Sequence, residues 1–396
     1  MPRKRKQINI ALIGQGFMGR THSNAWTQVT RFFDPPIRPV LHTACGRSEK
    51  ALRAFAKRWG WANVSTDWKQ LVASDEIDLV DILTPNHVHA PMAEAALKAG
   101  KHVLCEKPLA GTLDDARRMV QAARRANGRT FVCFNYRRCP AVALAHQLVR
   151  KGKLGEIRHV RAWYLQDWAD ESVPLMWRFD KKHAGSGAHG DLNAHIVDMT
   201  RFVTGEEITE ISGAIAETFI KQRKRMTGAA GGGIAAGATS AKKTGKVTVD
   251  DTVLFLARFS GGAVASFEAA RQATGHKNSN GWEINGTKGA LRFDFERMNE
   301  LEYYDATVPP ATQGWSTILA TESDHPYVGA WWPPGHIVGY EHGFTHQAYD
   351  VLRALAGRKP TVPQPDFADA YQTQRILAAA LKAAKDKKPV KVSTVK

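Results

Sequence analysis

The chain has no apolar run of the ~18 residues that a membrane-spanning helix requires. Its start, Met-Pro-Arg-Lys-Arg-Lys, is basic like the head of a secretory leader. The apolar stretch behind it, residues 8–13, is too short for one, and no small-residue cleavage site follows. A cytoplasmic protein with no membrane partner is expected. Cysteine is scarce as well: Cys45, Cys105, Cys133 and Cys139 form no CxxC pair, and no histidine cluster stands at zinc-ligand spacing. That argues against a disulfide framework and a structural metal, and suits a reducing compartment. Acid is also short, with 38 Asp plus Glu against 55 Lys plus Arg and a net charge of +17. Such a surplus suits nucleic acid. Here it is scattered, concentrating mainly at the basic start and around residues 221–225, and no helix-turn-helix or other recognition motif accompanies it. No specific nucleic-acid partner is expected.

What is present is length and apolar content. With 396 residues, 43% of them hydrophobic, about two domains are the natural division. The first third alternates β-rich runs (8–13, 40–44, 79–83, 102–105, 130–135) with Ala-rich helical stretches (49–59, 91–99, 113–126). Thr112 reads as the N-cap of the last stretch, with Asp115 three residues on and Gly128 beyond its end. Strands alternating with helices predict a Rossmann-type α/β domain over residues 1–136, a doubly wound parallel sheet covered on both faces.

From about residue 157 the texture changes. Runs at 157–168, 208–219, 247–259, 263–268, 282–285 and 290–295 arrive with few helices between them. Turn chemistry is clear in Gly261-Gly262 and in Asn285-Gly286-Thr287-Lys288-Gly289. These predict a C-terminal α+β domain over 137–396, with a mostly antiparallel sheet and closing helices within 344–384. Residues 221–246, rich in Gly, Ala, Lys and Arg, read as a flexible insertion between two strands.

Gly14-Gln15-Gly16-Phe17-Met18-Gly19 is a GxGxxG directly after the first strand and opening a helix. The first glycine permits the tight turn, the second admits a pyrophosphate, and the third lets helix and strand pack closely. The helix N-terminus then stabilises phosphate charge. Gly14, Gly16, Phe17, Met18 and Gly19 are thus the first cofactor candidates. The second strand should end on an acid for the adenosine ribose. It ends instead in Cys45-Gly46-Arg47-Ser48. Arg47 and Ser48 could receive a 2′-phosphate, or Arg47 could be a surface residue beside the adenine, so NAD(H) and NADP(H) both stay open. Thr84, Pro85, Asn86, His87 and His89 follow another strand, and Glu106 and Lys107 a third, at the sheet edge where ligands bind. Asp191 and His195 lie four apart in a stretch that reads as a helix, which puts both on one face.

Taken in order, Gly14 to Gly19, Thr84 to His87, Glu106-Lys107-Pro108, and Asp191 with His195 resemble the glucose–fructose oxidoreductase / inositol dehydrogenase / MocA family. The resemblance covers nearly the whole chain, and the ordered set is more specific than any single motif. Phe134-Asn135-Tyr136-Arg137-Arg138, Tyr164-Leu165-Gln166-Asp167-Trp168, Trp177-Arg178-Phe179 and Gly185-Ser186-Gly187-Ala188 resemble the branch that oxidises the 3-hydroxyl of glucosides and levoglucosan. The resemblance implies that Lys107, Asp191 and His195 form the catalytic group. It also implies that the cofactor is NAD(H) rather than NADP(H), and that open sheet faces pair the chain into a homo-oligomer. Asn135 joins the cofactor set.

The chemistry agrees. Oxidising a secondary alcohol removes a hydroxyl proton while hydride leaves the same carbon, and an imidazole suits the proton transfer. His195 is the expected base, Lys107 the stabiliser of alkoxide charge, and Asp191 the residue that orients substrate or partners. Nicotinamide takes the hydride, so no metal is needed. Tyr136, Gln166 and Arg178 are candidate sugar contacts. His336 ends an aromatic segment, His325 to His336, that reads as a wall of the substrate site or as a packed loop. The expected function is an NAD(P)-dependent sugar or glycoside dehydrogenase acting at a pyranose 3-hydroxyl. Two other readings fit the same motifs: a nicotinamide-dependent glycosidase working by transient oxidation and elimination, and a non-enzymatic dinucleotide sensor.

Overall fold

In the computed structural model, which describes residues 6–226 and 240–396, the chain divides into two compact units. The first runs to Arg138 and takes in Gly339–Tyr371; the second holds Cys139 onward to Val338 and Gln372–Lys396. The basic start, apart from Lys6, and residues 227–239 of the expected insertion lie outside the described residues.

In the first unit β1 (Gln7–Ile13) leads to α1 (Phe17–Phe32), β2 (Arg38–Cys45), α2 (Glu49–Trp59), β3 (Asn63–Ser65), α3 (Trp68–Ala73) and β4 (Leu79–Ile82). Then come α4 (His89–Lys98), β5 (His102–Cys105), α5 (Leu113–Arg125) and β6 (Thr130–Val132). All pairings are parallel, in the order β3-β2-β1-β4-β5-β6. Ile8, Ile10, Leu12, Val80 and Leu104 are buried, as expected of strands covered on both faces. The order reverses between β1 and β4, and a ligand crevice opens beyond the carboxyl ends of strands at such a switch. Thr112 caps α5 as its sequence requires: Oγ1 accepts from the Asp115 N–H at 3.1 Å. The strand expected over 130–135 stops at Val132, because Asn135–Arg138 coil into a 3₁₀ turn. A later helix, His342–Leu355, also belongs to this unit and sets Tyr349 against Phe33, ring centroids 4.5 Å apart.

The second unit opens with α6 (Pro140–Arg150), β7 (Ile157–Leu165), α7 (Lys181–Ala184), α8 (Ala194–Thr204) and β8 (Ile208–Glu217). A hairpin of β9 (Gln222–Met226) and β10 (Ser240–Lys246) follows. Then come β11 (Thr252–Phe259), β12 (Val264–Ala270), β13 (Ser279–Gly286), β14 (Gly289–Asp294), β15 (Glu300–Asp305) and β16 (Trp315–Leu319). The helix of the first unit is α9 (His342–Leu355); α10 (Phe367–Asp386) and β17 (Val390–Lys391) end the chain. The nine-stranded sheet has the order β16-β15-β14-β13-β7-β12-β11-β8-β17, antiparallel except where β7 meets β12. Alternation is clean in β11: Val253, Phe255, Ala257 and Phe259 are buried, while Leu254 and Leu256 face outward.

Two expectations change. The flanks of the stretch read as a flexible insertion pair as β9 and β10, and a polar side chain does the packing. Arg223 is buried, donates to the carbonyls of Ala169, Asp170 and Val173, and lies over the Phe179 ring. The helix expected through Asp191 and His195 is not uniform either. His189–Asn193 form a π turn that runs into α8, all of whose residues are buried. Asp250 holds the entry, accepting from the N–H groups of Gly187 at 2.8 Å and His189 at 2.7 Å. A Cβ on Gly187 would lie 1.7 Å from the Asp250 carbonyl oxygen, so only glycine fits there.

All four cysteines are free and buried. Among the described residues no helix is long and apolar enough to cross a membrane.

Candidate active site

The first unit carries a cradle that fits a dinucleotide. Gly14 turns the chain at φ +121°, and its N–H donates to the Cys45 carbonyl at 2.9 Å. A Cβ there would lie 2.6 Å from the Leu83 oxygen, and one on Gly19 would lie 2.2 Å from the Gly14 oxygen. Side chains are excluded where backbone must approach a pyrophosphate. Gly16 is the N-cap of α1 and offers no side-chain cap, and Phe17 and Met18 open the first turn, which holds no acid. The first N–H groups of α1 are therefore available to an anion. Phe17 stacks on Tyr340, centroids 6.3 Å apart. Arg47 and Ser48 stand exposed just past β2.

The other expected cofactor residues divide. Thr84, Pro85 and Asn86 are half-buried past β4. His89 is fully buried, and both ring nitrogens face backbone carbonyls: Nε2 that of Thr84 at 2.8 Å, Nδ1 those of Pro108 and Leu109 at 3.2 and 3.3 Å. It ties the loop after β4 to the loop after β5, and burial holds its pKa below the ordinary imidazole range. Asn135 and Tyr136 lie buried in the 3₁₀ turn.

Beneath Lys107 lies a charged cluster that the sequence did not reveal. Glu106 is buried; Oε2 accepts from the Lys107 N–H at 3.0 Å, and Oε1 lies 3.2 Å from His22 Nε2. His22 Nδ1 faces Asp81 at 3.0 Å, and Trp26 Nε1 donates to the same carboxylate at 2.8 Å. Burial opposes the charge on His22, but the Asp81 carboxylate and Cys133 outweigh it and hold the imidazole well above its ordinary pKa. Burial likewise opposes the charge on Glu106, and the His22 hydrogen bond and charge together with Lys107 hold its pKa below the usual range. Burial, with Glu106 beside it, pushes the Cys133 thiol up to about 12. The raised pKa of His22 favours its charged form between Asp81 and Glu106, and the Lys107 backbone N–H joins the cluster through Glu106. Ligand atoms of His22, Glu106 and Cys133 lie within 4.8 Å of one another. Hydrogen bonding and charge account for that closeness.

The second unit holds Asp191, Arg178, His195, Gln166 and His336. Asp191, at the π turn, pairs with Arg271: Nη2 donates to Oδ2 at 2.9 Å. Arg271 is 2% exposed and also reaches the Arg178 carbonyl. Arg271, just past the end of β12, is a partner of Asp191 that the four-residue spacing to His195 did not indicate. Arg178 stacks on Trp177, guanidinium 4.5 Å from the ring. Burial lowers its pKa, partly offset by Asp191. His195 is buried in the first turn of α8, its ring 5.8 Å from that of Tyr164. Gln166 accepts from Trp168 Nε1 and donates to Asn278. His336 stands exposed, its ring donating to the Pro333 carbonyl at 2.9 Å. Arg271 and Asn278 went unnoticed because neither stands in a motif; their roles come from partners far away in sequence.

The chain is similar to known proteins over most of its length. The oxidoreductase family model described as an NAD-binding Rossmann fold matches residues 8–134, and the GFO/IDH/MocA C-terminal domain matches residues 142–292. A levoglucosan dehydrogenase of Pseudarthrobacter phenanthrenivorans is 40% identical over 383 residues, 96% of each chain. Among solved structures, an oxidoreductase domain protein from Kribbella flavida is 51% identical with a TM-score of 0.91, covering 98% of this chain and 99% of that one. A levoglucosan dehydrogenase in complex with NADH and L-sorbose is 38% identical with a TM-score of 0.90 and the same coverage.

Proposed function

Because this chain belongs to the GFO/IDH/MocA family of oxidoreductases, with an NAD-binding Rossmann unit, we propose that it oxidises the 3-hydroxyl of a pyranose, in levoglucosan or a glucoside. NAD(H) is the cofactor, cradled by Gly14, Gly16, Phe17, Met18 and Gly19, with Arg47 and Ser48 beside the adenosine. Thr84, Pro85, Asn86, Glu106 and Asn135 complete that end. Nicotinamide, when bound, supplies the hydride acceptor.

The protein's own part is proton transfer and charge. His195 takes the hydroxyl proton through its imidazole as the alcohol becomes a ketone, and returns it in the reverse direction. Lys107 donates a hydrogen bond from Nζ to the reacting oxygen and stabilises its negative charge. Asp191, held by Arg271, accepts a hydrogen bond from the substrate and fixes its orientation. Tyr136, Gln166, Arg178 and His336 are assigned to sugar contact. The observation that carries the reading is the fixed Asp191–Arg271 pair one π turn before a buried His195, in a chain whose first unit has the dinucleotide cradle.

The outward face of the second unit's sheet supports a homo-oligomer. Ile215, Leu254, Leu256 and Val264 lie exposed along it, flanking Trp163.

The test is steady-state kinetics with NAD and levoglucosan. Lys107→Ala and His195→Ala are expected to lose at least ~100-fold in kcat, the usual scale of a removed acid–base or charge-stabilising group. NADH affinity should stay measurable in both. Near-wild-type kcat in both would overturn the assignment.

A further inference from the structure

The polar network beside His195 has a polarity that one side chain dictates. An indole N–H only donates. Trp168 Nε1 points at one end of the Gln166 amide at 2.9 Å, so that end is the carbonyl oxygen. The other end of Gln166 is therefore the NH₂, which donates at 2.8 Å to Asn278. The atom of Asn278 that receives it must be Oδ1, and Tyr164 donates its hydroxyl to the same oxygen at 2.8 Å. The backbone of Asn278 is fixed as well, its N–H donating to Glu296 at 3.1 Å.

With Oδ1 doubly occupied, the Asn278 NH₂ is turned away from the network, and it meets no hydrogen-bond partner among the described residues. Asn278 is half-buried. The groups around it tie it to His195 and Asp191. Tyr164 carries the ring that lies 5.8 Å from His195. Trp168 lies under the Arg271 guanidinium at 5.5 Å, and Arg271 holds Asp191. A fixed pair of donors beside this machinery matches an acceptor oxygen on the substrate. It does not match a carbonyl-poor apolar group, which would leave the amide desolvated and unpaired.

We propose that Asn278 is a specificity-determining residue: its Nδ2 donates a hydrogen bond to one sugar oxygen other than the one that loses its proton. The inference rests on the dehydrogenase reading above and selects polyhydroxylated rings over mono-alcohols. Gln166, besides its sugar contact, keeps the Asn278 amide in register.

The experiment is a double cycle between residue and substrate. Wild type, Asn278→Asp and Asn278→Ala are assayed with NAD and levoglucosan, and with its singly deoxygenated analogues that keep the hydroxyl to be oxidised. Asn278→Asp keeps an acceptor for Tyr164 and Gln166 and replaces only the outward donor. In wild type, removing the recognised oxygen should raise KM about tenfold, the scale of one hydrogen bond of ~1.4 kcal/mol. In both variants that penalty should vanish while penalties for the other positions persist. If every analogue loses the same factor in the variants as in wild type, Asn278 is structural and the assignment is overturned. If wild type turns over no sugar at all, the dehydrogenase reading fails, and this assignment falls with it.

Discussion

His22 is buried between Asp81 and Glu106, and its raised pKa favours the charged ring. Removing the partner of a buried charge costs about 3 kcal/mol or more, since the remaining carboxylates face each other without water. His22→Gln should therefore lower stability by about 3 kcal/mol at neutral pH, read from urea unfolding. The pH dependence has a sign. The folded pKa of His22 is raised, so its stabilisation is complete below the ordinary value of 6.5 and is lost as pH rises through the raised value. The gap between wild type and His22→Gln should shrink towards alkaline pH. A gap that stays constant across that range would show that the bridge carries no charge. Glu106 works the other way: its pKa is lowered, and its stabilisation fades as pH falls through that lowered value.

At the scale of the element, the glycine turn and α1 are where local sequence dictated structure most completely. A GxGxxG after an apolar strand leaves little choice, because Gly14 needs positive φ and Gly19 has no room for a methyl. Gly19→Ala should abolish NADH binding or the folding of the turn, and fluorescence titration against a circular-dichroism control separates the two. Unchanged NADH affinity would mean that the cradle does not hold the cofactor. The α2 range and the Thr112 cap were legible for the same reason: their determinants lie within a few residues. The π turn at His189–Asn193 was not legible. What shapes it comes from Asp250, over sixty positions away, and from the Val253 and Leu377 carbonyls. Arg271, 80 residues from Asp191, and the His22–Asp81–Glu106 cluster were hidden likewise. Periodicity reports which face is buried; it does not report which polar groups meet across a fold. β9 and β10 were missed because buried Arg223, rather than an apolar side chain, anchors them.

At the scale of the whole molecule, the chain holds two large sheets of different construction. The parallel sheet has a switch point between β1 and β4 that suits a dinucleotide, and the antiparallel sheet has an apolar outer face. If that outer face joins copies of the chain, Leu256→Lys should shift the protein to a smaller species in light scattering without changing its far-ultraviolet spectrum; an unchanged mass would remove the face from the assembly. The reaction proposed for the chain is the NAD-dependent oxidation of a sugar hydroxyl. It is tested most directly by incubating the purified protein with NAD and a panel of pyranosides, measuring NADH and identifying the product by NMR. A 3-keto sugar formed in equal amount with NADH is the expected result. Release of aglycone without net NADH, or tight dinucleotide binding with no product from any sugar, would contradict it.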